Sequence, residues 1–331
     1  MILYGVGDTF RTGTHKAMIF EWLRLHDRTD EKTHVYGITR SWSQIGSAVS
    51  GLIAAAFVLM SGNYQYVFYF SIIPYLLNLI NFAGYPAALD GDHEKATTIS
   101  ETFSRLVTSL RRAIGQPRLR RLMLESVCWE GYFAAVKDYL QPLLKSLALV
   151  GLASLFADGS EFWSNEARKT ALLIGPVYAG LFFLSAWASR QSNPLVVRSG
   201  GADKATRRLW FVTLLLYVTL FVLGIANRSG WIVIAFVLLH GMKNVWRPIL
   251  ISRFDEASES HEGATILSIE SQSQRAGTFL MAPLLGWVVD YYRTETELAY
   301  WPIGLAGALL AGGMWLTSIK ARRRSPGGSA T

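Results

Sequence analysis

Nine stretches of mostly apolar residues run through this chain, and they leave little choice of architecture. They fall at about 1–24, 38–60, 64–85, 119–141, 169–189, 209–226, 230–252, 264–288 and 299–319. A helix of roughly 20 apolar residues spans the hydrocarbon core of a bilayer. The clearest stretches are LWFVTLLLYVTLFVLGIA, WIVIAFVLLHG and YWPIGLAGALLAGGMWLTSI. Those at 1–24, 119–141 and 264–288 are much more polar. The expected fold class is therefore an all-α polytopic membrane protein, a helical bundle with about nine transmembrane helices.

Charge supports this reading. Only 17% of the 331 residues are charged, against about 25% in soluble domains. The net charge of +8 does not point to nucleic acid, because the basic residues cluster between apolar blocks, as in membrane loops. With Lys320, Arg322, Arg323 and Arg324 placed in the cytoplasm, 20 Lys and Arg fall on cytoplasmic segments and 5 on outer ones. That is the positive-inside pattern. The expected location is the plasma (inner) membrane, with the C-terminus cytoplasmic. Residue 1 then lies outside, and nothing before Asp8 resembles a signal peptide. The single cysteine, Cys128, allows neither a disulfide framework within the chain nor a cysteine-based metal site.

Three spans precede the longest polar connection and six follow it. The expected divisions are 1–86, a partial N-terminal half of three helices; 87–118, a cytoplasmic linker; 119–319, a six-helix half; and 320–331, a basic tail. Within the linker, 100–114 has an amphipathic pattern, with Phe103, Leu106, Val107 and Leu110 on one stripe. Gln116-Pro117 ends it. A short internal echo links the two parts. GITRSWSQIGSAVSG (37–51) and GATILSIESQSQRAG (263–277) both start spans after a hydrophilic loop, and the preceding spans carry Phe10-Arg11 and Trp246-Arg247.

Ionisable residues inside spans are costly unless they face a cavity or a partner, so they carry the functional reading. Asp8, Arg11 and His15 share one helix face at i, i+3 and i+7. They read either as an internal salt bridge or as a substrate or proton pathway. Lys16 and Glu21 lie nearer the inner end and read as structural. Glu130 is central in its span. A buried carboxylate can take up and release protons near neutrality, so Glu130 is the first proton-site candidate, with an interhelical ion pair as the alternative. It shares a face with Lys137 at i+7 in a regular helix. His240, Lys243, Asn244 and Arg247 interrupt a very apolar helix. Lys243 and Arg247 repel at i and i+4, so each calls for an acidic partner or a shared anion, and the group, Asn244 included, reads either as a substrate or proton pathway or as paired with Asp8 or Glu130 across the bundle. Glu270 and Arg275 read as gating, helix-docking or substrate contacts. Trp129 and Trp246 neighbour these charges and read first as packing. DGDHE (90–94) lacks a calcium-loop pattern and reads as solvated loop.

At GDTFRTGTHKAMIFEWL (7–23), KDYLQPLLK (137–145), GATILSIESQSQ (263–274) and PLLGWVVD (283–290), together with the basic central loop, the chain resembles the major facilitator superfamily. The resemblance covers nearly the whole chain, as helices four to twelve. It implies two helical halves, a midplane site between them, and three helices lost before Met1 or missed by the start assignment.

No phosphate-binding glycine loop, HExxH motif or nucleophile elbow occurs, so no cofactor, metal or catalytic residue is expected. An ATP-driven pump would need a nucleotide domain. The expected function is secondary active transport of a small solute across the lipid bilayer, coupled to protons. The alternatives are an inactive transporter fragment and a membrane-embedded lipid-modifying enzyme using His15 or His240 as a base.

Overall fold

The computed structural model describes residues 14–86, 107–108, 111, 114–151, 164–258, 263–293 and 299–324. Among them there is no strand. The helices are α1 (Thr14–Leu25), α2 (Lys32–Ser61), α3 (Gln65–Ala83), α4 (Pro117–Ser126), α5 (Tyr132–Val136), α6 (Leu140–Gly151), α7 (Glu166–Arg190), α8 (Ser192–Ser199), α9 (Ala202–Ile225), α10 (Ser229–Ala257), α11 (Gly263–Tyr291) and α12 (Trp301–Arg324).

Six helical segments are long and apolar enough to cross a membrane: Thr29–Ser61, Gln65–Ala83, Glu166–Ser199, Ala202–Ile225, Ser229–Ala257 and Trp301–Ile319. This fits an all-α membrane bundle. The expected count of about nine is met only in part. The other three stretches correspond to α1, to the broken α4–α6 segment and to α11, which carry Lys16, Glu130 and Glu270 among the ionisable residues noted above. Asp8, Arg11, the DGDHE loop and most of the 100–114 stripe lie outside the described residues.

Close contact between small residues sets the helix pairs, as expected where lipid supplies no hydrophobic drive. Helices α2 and α7 run antiparallel. A Cβ on Gly37 would meet Ser189 O at 2.7 Å, and one on Gly175 would meet Ala55 Cβ at 2.6 Å. At the far end α7 caps α2. Arg168 Nε donates to Leu59 O (3.0 Å) and Asn165 Nδ2 donates to Gly62 O (3.2 Å). These are end carbonyls that lack helical partners. Gly62 ends α2 in the left-handed region, at φ 70°, which glycine adopts without Cβ strain. Asn165 also caps its own helix, accepting from Ala167 N and Arg168 N.

Helices α9 and α12 form a second antiparallel pair. A Cβ on Gly304 would run into the backbone of Phe221, and one on Gly307 would run into the Tyr217 ring. Helix α10 stands between these pairs and contacts α2, α7 and α9. From Trp246 to Asp255 every residue of α10 is buried, as in a helix surrounded by others. Helix α3 is the opposite case. It has no buried residue, and Phe68, Tyr75 and Ile80 are largely exposed. That pattern suits a helix facing lipid.

The segment from Pro117 to Gly151 is not one regular span. A π turn, Val127–Gly131, separates α4 from α5, and a 3₁₀ turn, Lys137–Tyr139, separates α5 from α6. The π turn frees a carbonyl from regular pairing, and Thr278 Oγ1 of α11 donates to Gly131 O at 2.9 Å. The approach is tight: a Cβ on Gly277 would meet Val127 Cγ1 at 2.7 Å.

The α9–α12 contact yields a direct test. Gly304→Ala should lower thermal stability by about 1–3 kcal/mol through overpacking. Gly313→Ala, facing open space, should not. Unfolding of the detergent-purified chain followed by tryptophan fluorescence compares the two. Equal midpoints would refute the close packing.

Candidate functional site

Buried charges converge where α1 and α2 meet α10, α11 and the π turn. Their centre is a two-pronged pair. Arg247 Nη1 donates to Glu270 Oε1 at 2.6 Å, and Nη2 donates to Oε2 at 3.1 Å. The Glu270 side chain is fully buried. Two more donors complete its shell: Ser126 Oγ at 2.5 Å and the neighbouring Ser271 Oγ at 3.3 Å. Lys16 of α1 approaches Glu270 Oε2 at 3.5 Å and donates to Ser271 Oγ at 3.3 Å. A planar guanidinium matches a carboxylate in this fork geometry. Extra hydrogen bonds are what make a buried pair tolerable after desolvation.

Glu130 sits beside this pair and is held more loosely. Its Oε1 lies 3.8 Å from Arg247 Nη1, and its Oε2 lies 3.8 Å from Lys243 Nζ. Neither is a hydrogen-bond distance for good N–H···O geometry, and Oε1 is buried with no hydrogen-bond partner among the described residues. The π turn aims this side chain, because Glu130 lies within it. Lys243 Nζ also stands 5.3 Å from the centre of the Phe133 ring, a cation–π distance. One helical position on, Asn244 is buried. Its Oδ1 accepts from Arg40 Nε of α2 at 3.1 Å, while its Nδ2 donates to His240 O at 2.9 Å.

Aromatic side chains wall the cluster. Trp129, Trp210 and Trp246 meet with ring centroids 5.1–5.5 Å apart. This is the packing role read for Trp129 and Trp246.

A second network lies along α10 from the first. Glu125, fully buried, accepts from Arg253 Nη1 (2.5 Å) and Arg121 Nε (3.0 Å). Arg253 Nη2 also donates to Asp203 Oδ1 at 3.0 Å. Asp255 accepts from Arg24 Nη2 at 2.8 Å, and Lys32 Nζ lies 2.5 Å from its other oxygen. These pairs tie α1 and the start of α2 to α10.

The structure thus gathers Glu130, Lys243, Asn244, Arg247 and Glu270 into one constellation. His15 is exposed at the start of α1 and is not placed in it. Lys137 does not join Glu130 as a regular helix would require. The π turn alters the register, and Lys137 instead pairs with exposed Asp138 at 3.3 Å. Lys16, read from sequence as structural, reaches the centre. Arg40 is a member that the sequence reading did not single out. Its signal was an arginine inside an otherwise uncharged stretch at 38–60. No group of three or more potential metal ligands occurs among the described residues.

Comparison with protein families, curated proteins and solved structures finds no match.

The shared guanidinium is the part to test. Arg247→Gln leaves Glu270 buried with its main counter-charge gone, at a cost of about 3–5 kcal/mol. The double variant Arg247→Gln/Glu270→Gln should recover most of that loss. Unfolding midpoints of the two single variants and the double variant give the coupling, and additive losses would contradict the pairing.

Proposed function

We propose that this chain is a secondary transporter of the major facilitator type. It moves a small solute across the membrane by alternating access, with protons as the coupling ion. One observation carries the reading: a buried cluster of opposed charges built by helices from both sides of the central linker. Lys16 and Arg40 come from before residue 87, and Glu130, Lys243, Asn244, Arg247 and Glu270 come from after it.

Alternating access needs contacts between two bodies that are made and broken around a midplane site. Lys16–Glu270 and Arg40–Asn244 are contacts of that kind. The Arg247–Glu270 fork stays within one body and keeps the site organised. Glu130 suits the exchangeable proton. It is buried, and its neighbouring cations stand beyond hydrogen-bond reach, so protonation breaks no strong bond. In this reading solute binding draws Lys243 or Arg247 away from Glu130, and proton release follows their return.

Proteoliposomes loaded with a pH-sensitive dye test this with a panel of sugars, amino acids and organic acids. The wild-type chain is expected to move protons with at least one solute, and Glu130→Gln is expected to abolish that signal at equal incorporation. Full proton movement in Glu130→Gln would remove Glu130 from the pathway. No movement with any solute, in correctly folded protein, would defeat the transport reading.

The proposed orientation puts the basic tail in the cytoplasm. A C-terminal green fluorescent protein fusion should then fluoresce, while a C-terminal alkaline phosphatase fusion should be inactive. The reverse pattern would invert the topology.

A further inference from the structure

The cluster is not electrically balanced. Among the described residues it brings four cations, Lys16, Arg40, Lys243 and Arg247, to two carboxylates, Glu130 and Glu270. Asp8 and Arg11, outside the described residues, carry one charge of each sign. Lys137 is paired with Asp138 on the exposed flank.

The excess is localised. Arg247 and Glu270 satisfy each other in the fork, and Lys16 lies on the Glu270 side. Lys243 has Glu130 at 3.8 Å. Arg40 donates to a neutral amide. Arg40 Nε is held 3.1 Å from the Oδ1 of Asn244, the residue next to Lys243 in the chain, so Asn244 orients Arg40. Both cations remain reachable: the Lys243 side chain is 23% exposed and Arg40 is half-buried. Uncompensated charge at this depth is costly, and a bound counter-charge removes that cost.

We propose that Arg40 and Lys243 bind an anionic group, a carboxylate or phosphate, with Asn244 as the positioning residue for Arg40. This rests on reading the cluster as the solute site, and it makes the solute an organic or inorganic anion. The guanidinium of Arg40 supplies a planar pair of donors, and the Lys243 ammonium supplies a point charge beside it.

The test uses the full chain in nanodiscs of phosphatidylcholine, with unfolding followed by tryptophan fluorescence. Inorganic phosphate and succinate are the probes, and tetramethylammonium is the control. At least one anion should raise the midpoint saturably. Arg40→Gln and Lys243→Gln should each weaken that anion by roughly tenfold to hundredfold, the effect of losing one charge-assisted contact. Arg40→Gln should also leave the ligand-free midpoint unchanged or higher, which keeps the test usable if Lys243→Gln does not fold.

A parallel set of discs contains phosphatidylglycerol. A shift confined to those discs and lost in Arg40→Gln upholds the anion site and assigns the anion to a lipid headgroup. A shift with tetramethylammonium alone, no shift with any anion in either disc, or anion binding unchanged in both variants overturns the proposal. Anion binding without solute-driven proton movement upholds this site and defeats the transport reading. Proton movement driven by a cationic solute defeats the anion proposal alone.

Discussion

Arg247 and Glu270 hold each other at 2.6 Å inside a bundle whose walls are aromatic and aliphatic. Neither could be buried there alone. Their pairing fixes α10 against α11, and the shell around it does the rest. Ser126 draws α4 to the same carboxylate, and Lys16 draws α1. Elements that are distant in sequence thus meet at one ion pair, and each contributes a hydrogen bond or a charge that the others need. Apolar packing could hold the same helices together, but it would tolerate many rotations about their axes. The fork and its donors tolerate few.

Around that centre the helices are joined by backbone-close contacts between small residues. Gly37, Gly175, Gly304 and Gly307 leave no room for a Cβ. They make α2–α7 and α9–α12 two tight antiparallel pairs with α10 between them. The α2–α7 pair is of particular interest because it joins segments far apart in sequence, Lys32–Ser61 and Glu166–Arg190. It has close glycine approaches at Gly37 and Gly175 and polar fastenings at its ends, Arg168 and Asn165 at one and Arg190 to Ser41 at the other.

Much of this was legible in the sequence. The helical class followed from run lengths. That Glu130, Lys243, Arg247 and Glu270 stood out followed from the cost of charge in apolar surroundings, and the like-charge spacing of Lys243 and Arg247 called for acidic partners or a shared anion; Glu130 and Glu270 lie beside them. What was not legible depended on geometry between helices. Lys16 seemed too near a helix end to reach the centre, yet α1 packs on α11 at that level. Arg40 gave only the weak signal of one arginine in a long apolar run. Two of the three most polar stretches met the sequence rule for a span poorly for a physical reason: their charges are neutralised by neighbours, which hydropathy summed along one helix cannot register. No residue pattern announced the π turn, because its pairing is completed from another helix by Thr278.

That turn makes the position of Glu130 depend on chain length as much as on residue identity. Each residue in a helix contributes about 100° of rotation. Loss of Cys128 or Trp129 would let α4 and α5 merge into one uninterrupted helix, swinging its two ends relative to each other by that angle. With α5 anchored by Tyr132 Oη on Ile303 O, the rotation would fall on α4 and carry Glu125 and Ser126 away from Arg253 and Glu270. A one-codon deletion there would therefore be felt at both ion networks at once, although it removes no charged group that either of them uses.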